Sequence, residues 1–287
     1  MNTTALAFVL VAAVVHALWN LAAKRVTFGG PRFVWLYYTV SAVVLLPVVV
    51  VALFVESDRP QWTWLVASVV TAALHVVYGT VLQRGYIVGD LSVVYPLARG
   101  TGPLLSVVAA VVFLHEHPGA LGLTGAFLVV AGVLVISLGG RGADAMKLRA
   151  GVFYGVLTGA TIAAYTLWDA HSVTTLAVPP LVYFGAGALC QSVLLLPAAL
   201  RDRAEVGRLW REHRREALIV GIASPAAYLL VLYALRIAPV SLVAPARELS
   251  IVLGGVAAWV VLRERNAVRR LAGSVVVLAG IVAIAMA

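Results

Sequence analysis

Stretches of about 20 residues without a charge recur along almost the whole chain, and no other feature restricts its fold so severely. Inside hydrocarbon a backbone has no water to bond, so it must satisfy its own N–H and C=O groups, either as a helix or as a closed barrel. Runs such as SVVAAVVFL and VVVLAGIVAIAM do not alternate polar with apolar residues, as the roughly ten-residue strands of a barrel would. Helices remain. Only 11% of the 287 residues are charged and 62% are hydrophobic, where soluble domains carry about 25% charge, so neither a soluble globule nor a disordered chain fits. The sequence therefore predicts an all-α integral membrane protein with ten spans, at 4–23, 33–55, 62–82, 91–114, 120–138, 151–168, 181–200, 217–235, 242–262 and 268–286. The N-terminal run lacks the basic region of a cleaved leader and reads as a retained first helix.

The net charge of +9 would suggest a nucleic-acid partner in a soluble protein, but here its distribution reports topology. Of the 21 Lys and Arg, seventeen fall in odd-numbered connections: Lys24, Arg25 and Arg32; Arg84; Arg141, Lys147 and Arg149; six from Arg201 to Arg215; and Arg263, Arg265, Arg269 and Arg270. The even connections hold only Arg59 and Arg236. The positive-inside rule then places the odd connections in the cytoplasm and both termini outside, in a multi-pass plasma or inner membrane protein.

The last two basic residues, Arg99 and Arg247, lie within predicted spans and are 148 residues apart. The same ungapped offset aligns Ala98 with Ala246, Leu114 with Leu262, Glu116 with Glu264, Gly125 with Gly273 and Gly132 with Gly280. Charges are scarce enough for the Arg and Glu matches to carry weight, so residues 1–148 and 149–287 read as two copies of a five-helix unit. Five is odd, so the second copy must cross the membrane in the opposite sense. Around the shared Glu, His115 and His117 on the predicted outside become Arg263 and Arg265 on the predicted inside. A weaker echo pairs ALWN at 17–20 with TLWD at 166–169, at an offset of 149.

Two segments, PLARGTGPLLSVVAAVVFLHEHPGALGLTGAFLVVAGVLV and APARELSIVLGGVAAWVVLRERNAVRRLAGSVVVLAGIVA, each pass from a helix through a short Glu-containing turn to a final helix of the form G-x6-G. In these motifs and in helix count the chain resembles the EamA-type members of the drug/metabolite transporter superfamily. The resemblance implies gradient-driven or proton-coupled transport of small metabolites, often export, through a cavity between the repeats. It does not name the substrate, because the Glu turns and glycines are architectural.

Arg99 and Arg247 are the sharpest chemical features. A cation near the centre of a bilayer helix costs at least about 2.5–3.5 kcal/mol, so it turns toward a cavity or a partner. Two guanidiniums from repeat-related helices suit an anionic or zwitterionic substrate; the alternative is snorkelling, or local pairing with the adjacent Glu248. Pro96, Gly100, Gly102 and Pro103 predict a kinked or unwound fourth helix beside the cavity. Tyr95 precedes Arg99 by one turn. Trp19 and Asn20 with His16, and Tyr78 with His75, lie at helical spacing. Together with Trp168, Tyr165 and Tyr228 they are candidate cavity residues, with packing as the competing role of the aromatics. His16, His75 and Glu248 are the candidates for carrying a coupling proton. Glu116 and Glu264 sit where a carboxylate can satisfy the free N–H groups of the next helix.

No cofactor and no metal are expected. Cys190 has no second thiol, and the HEH run is not HExxH. Paired D-x-x-x-D aspartates and a G-x-S-x-G elbow are also missing, which speaks against an intramembrane enzyme. The segment RDRAEVGRLWREHRRE, with Leu209 and Trp210 among basic residues, fits either a short helix on anionic headgroups or a solvated loop. The expected protein is thus a secondary transporter, an exporter by resemblance, with a small molecule, membrane lipids and protons as partners. Its duplication makes a monomer sufficient and a loose homodimer compatible. The alternative is a flippase for lipid-linked substrates.

Overall fold

The computed structural model describes residues 1–23, 25–26, 30–55, 60–89, 91–137, 145–253 and 267–287. Among them the elements are helices: α1 (Thr3–Ala23), α2 (Gly30–Val55), α3 (Trp62–Val88), α4 (Leu91–Phe113), α5 (Gly119–Ser137), α6 (Ala145–Thr174), α7 (Pro180–Leu200), α8 (Arg203–Ile237), α9 (Val240–Ala246) and α10 (Ala267–Met286). Seven of these, α1–α4 and α6–α8, are long and apolar enough to cross a membrane, and α5 and α10 contain the shorter apolar stretches Gly119–Val135 and Ala272–Met286. The bundle is apolar on the outside, where Phe54, Phe113, Phe127 and Val193 stand exposed, as a lipid-facing surface requires. Small residues fill much of the inside, including Ala5, Ala12, Ala13, Ala67 and Ala110, because association within lipid relies on close packing rather than on expulsion of water.

Several predicted boundaries move. α3 continues to Val88, past the predicted 82, so Arg84 is helical. α6 runs from Ala145 to Thr174 and exceeds 151–168 at both ends. α8 starts at Arg203 rather than 217, capped by the Asp202 side chain, which accepts the Glu205 N–H at 3.1 Å. Its first part meets the apolar part at a kink, where His213 has φ −126° and ψ 26°. The basic stretch is therefore a helix. Leu209 is buried against protein, with Phe33, Leu36 and Val220, and only Trp210 of the pair faces outward. The fourth helix, expected to be kinked or unwound, runs as one helical element across residues 96–103. An interruption falls in the segment that the 148-residue offset aligns with it: α9 ends at Ala246, Arg247 and Glu248 form a turn, and helix resumes over 249–253. The rest of the predicted 242–262 span, and Glu264 with it, lies outside the described residues.

Helices distant in sequence pack together. α1 lies on α8, α3 on α6, α2 on α7 and α5 on α10. The α5–α10 contact is made through backbone: a β-carbon on Gly125 would stand 2.7 Å from the Gly280 carbonyl oxygen, and one on Gly132 would stand 2.7 Å from that of Gly273. Hydroxyls add cross-links, Ser41 Oγ donating to Gly221 O at 2.8 Å and Thr39 Oγ1 bonding Ser192 Oγ at 2.7 Å. The two ends of the chain meet, the Met1 ammonium reaching the carbonyls of Ile284 and Ala285 at 3.4 Å each.

Candidate functional site

Among the described residues, two clusters of polar side chains that include a buried carboxylate lie in the interior. The first forms where α4 faces the break after α9. Pro245 has no N–H to give to the carbonyl one turn back, and the bonds just after it shorten in span. Arg247 N–H still reaches Val243 O at 3.1 Å, but Glu248 N–H bonds Pro245 O at 2.9 Å and Ile251 N–H bonds Glu248 O at 2.9 Å. This tightened turn carries Glu248 into the bundle, where its side chain is 1% exposed.

One oxygen of Glu248, Oε2, lies 3.0 Å from Arg99 Nη2, and the other, Oε1, lies 4.0 Å from Arg247 Nε. Arg99 Nη2 also donates to Ser250 Oγ at 3.4 Å. Two guanidiniums thus share one carboxylate, which leaves a local charge of +1. Donor capacity is left over as well: Arg247 Nη2 and Arg99 Nε are buried and have no hydrogen-bond partner among the described residues. The Glu248 Oε2 contact has ion-pair distance without hydrogen-bond alignment.

The second group surrounds Asp169, a fully buried carboxylate on α6. Thr71 Oγ1 from α3 and Tyr183 Oη from α7 each donate to its Oδ1 at 2.6 Å, and Tyr228 Oη from α8 donates to Oδ2. No cation lies in ion-pair contact with it among the described residues. A small cleft with room for about one water reaches this knot, lined by Thr71, His75, Tyr183, Gln191 and Tyr228 among others. His75 Nδ1 is 2.9 Å from Thr71 O and 3.1 Å from Thr71 Oγ1. Its ring stacks on Tyr165 at 4.2 Å and meets Tyr228 edge-on at 5.6 Å. Tyr165 links the two groups, lying within electrostatic reach of Arg99, Arg247, Glu248 and Asp169.

The residues singled out from sequence divide accordingly. Arg99, Arg247 and Glu248 come together in the first group, while Tyr228 and His75 belong to the second. Tyr78 packs edge-on against Tyr165 at 5.5 Å. Trp168 uses its Nε1–H to tie α6 to Ala67 O of α3 at 3.0 Å. Tyr95 is exposed, one turn before Arg99. On α1, His16 Nδ1 is 3.0 Å from Ala12 O and its ring is 5.6 Å from that of Trp19, while Asn20 is exposed and donates back to His16 O at 2.8 Å. Arg99 and Arg247 are within electrostatic reach of His16.

Sequence reasoning missed Asp169, Thr71 and Tyr183. Ending the sixth span at 168 put Asp169 in a connection, although the TLWD echo of ALWN already set it opposite Asn20. Glu116 does cap a helix, but not the one that follows it. Its Oε1 and Oε2 accept the N–H groups of Val240 and Ser241 at 2.8 Å each, at the start of α9. Packing sets the first turn of α9 beside Glu116, and a bidentate carboxylate fits two free N–H groups there.

The sequence model of the EamA-like transporter family matches the chain over residues 3–138 and again over 149–286. An uncharacterized protein of Methanocaldococcus jannaschii is 24% identical over 137 residues, which are 47% of this chain and 97% of that protein. A crystal structure of a protein 15% identical in sequence superimposes with a TM-score of 0.78 over 100% of this chain and 99% of the other, a likeness of fold.

Proposed function

Because the chain belongs to the EamA-like transporter family and is a multi-pass membrane transporter, we propose that it is a secondary transporter of a small anionic or zwitterionic metabolite. In this reading Arg99 and Arg247 hold the substrate's anionic group. The observation that carries it is the +1 charge of the Arg99–Glu248–Arg247 group together with its unused donors, Arg247 Nη2 and Arg99 Nε. Inside a bilayer a cation without a counter-charge in contact is costly, and a carboxylate, phosphonate or phosphate would supply both that contact and the missing acceptors.

Transport proceeds by alternating access between residues 1–148 and 149–287, two five-helix repeats of opposite sense. Three observations support that division. The family match falls twice, once in each half. The offset of 148 that relates Gly125 to Gly273 and Gly132 to Gly280 converts the Gly125–Gly280 contact into the Gly132–Gly273 contact. Met1 meets Ile284 and Ala285, which is compatible with an even number of crossings. The basic residues of the odd connections then put both termini outside the plasma or inner membrane, and one chain forms the whole pathway. Direction follows the gradients, with export where the metabolite accumulates inside, as the family resemblance implies.

The test is ligand-dependent thermal stability of the purified wild type and Arg99→Ala against amino acids, carboxylates, phosphonates and sugar phosphates. A ligand stabilises only by binding the folded state more tightly than the unfolded one. Dose-dependent stabilisation of wild type by an anion, absent in Arg99→Ala, is the expected result. Equal responses of the two proteins would make Arg99 structural, and stabilisation by lipid-linked anions alone would turn the reading to a flippase.

A further inference from the structure

Asp169 lies outside the substrate group proposed above, and its surroundings are unusual for a carboxylate in a membrane protein. Buried charges are ordinarily paired with opposite charge, as Glu248 is with Arg99. Asp169 has three hydroxyl donors instead, and every one of them is amphoteric. The side chain is fully buried, so neither a metal ion nor an ammonium group can reach its oxygens without displacing those hydroxyls. A proton needs no such displacement. Thr71, Tyr183 and Tyr228 all line the cleft that reaches the knot, and each can receive a proton on the cleft side while passing its own to the carboxylate. His75 also lines the cleft, with its Nδ1 3.1 Å from Thr71 Oγ1.

We propose that Asp169 is a proton-loading site, filled from the cleft through the hydroxyls of Thr71, Tyr183 and Tyr228. The inference rests on the reading of the chain as a transporter and supplies the site through which protons couple to it. Two consequences follow from the geometry. With Asp169 ionised, Arg99, Arg247, Glu248 and Asp169 sum to zero; with Asp169 protonated they sum to +1, and an anion at the arginines restores neutrality. Proton and anion therefore favour one another's binding, by equal factors in each direction. Carried together, they move the same way across the membrane. An inward proton gradient then favours uptake, and export proceeds only when the anion's own outward gradient exceeds it.

The second consequence is mechanical. The ionised carboxylate accepts from α3, α7 and α8 at once and ties them to α6. A protonated carboxyl has become a donor at one oxygen, so the hydroxyl facing that oxygen must turn its own proton away and accept instead, and the bonds that hold α3, α7 and α8 to α6 lose their charge assistance. Of the titratable groups around Asp169, Tyr183 from α7 and Tyr228 from α8 bond it directly, His75 from α3 reaches it through Thr71, and Tyr38 from α2 and Tyr165 from α6 itself lie within electrostatic reach. Beyond the Tyr165 and Tyr228 rings stand Arg99, Arg247 and Glu248.

Infrared difference spectroscopy of the purified full-length protein in lipid nanodiscs, stepped from mildly alkaline to mildly acidic buffer, tests the site without any substrate. Isotope-labelled aspartate separates its carbonyl band from that of Glu248. The expected result is an aspartyl C=O band that appears on acidification, is lost in Asp169→Asn and moves to higher frequency in Tyr228→Phe, which keeps the carboxyl and removes one donor. Absence of a labelled buried-carboxyl band in wild type overturns the proposal, and so does a band that Tyr228→Phe leaves unmoved; the second variant decides the matter if Asp169→Asn does not fold. Failure of every anion to stabilise the protein, alongside an Asp169 band, would remove the arginine reading and leave the proton site standing.

Discussion

Glu248 and Asp169 are both buried carboxylates inside one bundle, yet the first is held by two guanidiniums and the second by three hydroxyls. In the first arrangement the carboxylate offsets part of the charge of two cations, and each member keeps its neighbours tolerable in low dielectric. The second is a satisfied acceptor with neutral neighbours, each of which has another role available to it. Removing the carboxylate charge should therefore hurt the two sites very differently.

Glu248→Gln has the largest expected effect. It leaves Arg99 and Arg247 facing each other without their shared counter-charge, and breaking a buried pair from one side costs about 3–5 kcal/mol. Thermal unfolding in a single detergent should show a large drop or loss of the folded form. Addition of a tightly binding anion should recover part of it, because the ligand takes over the role of Glu248. An unaltered midpoint would mean that the arginines are not held by Glu248, and the contrast with Asp169 would fail.

Asp169→Asn should cost less, about 1–3 kcal/mol. The amide keeps one acceptor oxygen for the hydroxyls but turns an N–H toward the other donor, and measured side-chain hydrogen bonds in membrane helices average only about 0.6 kcal/mol. If this variant is as damaging as Glu248→Gln when both are unfolded side by side, Asp169 is balancing a charge and not merely satisfying hydroxyls.

The same contrast explains what could be read from the sequence. Apolar runs give the spans because hydrocarbon leaves the backbone so few options, and Gly125, Gly132, Gly273 and Gly280 stand where α5 and α10 bring their backbones together. Arg99 and Arg247 were visible because a charge in such a run has to be explained. The Asp169 knot was not, since its donors are Thr and Tyr, common residues of apolar helices, at separations of 98, 14 and 59 positions. Nothing in the local pattern selects them; helix packing does. The break at Arg247–Glu248 is hard to read from sequence for a related reason. Pro96 and Pro245 occupy adjacent positions in the repeat alignment, so proline alone cannot tell the continuous α4 from its interrupted counterpart.

The smallest expected effect comes from a pair that looks stronger on paper. Arg208 and Glu205 approach to 2.5 Å, closer than the 3.0 Å of Arg99 and Glu248, and Arg208 also reaches Glu212 at 3.7 Å. If distance decided the worth of an ion pair, Arg208→Ala would rival the loss of Glu248. The Arg208 side chain is 52% exposed, however, so water and salt solvate both partners as soon as they separate, and no charge is stranded. Arg208→Ala should leave the thermal midpoint unchanged within error at both low and high salt. A loss at low salt that high salt abolishes would show the first part of α8 to be held electrostatically, with its Leu209 anchor against Phe33 and Leu36 as the lesser tie. What separates the interior arginines from this one is the solvent each carboxylate would have to do without, and not how closely the atoms meet.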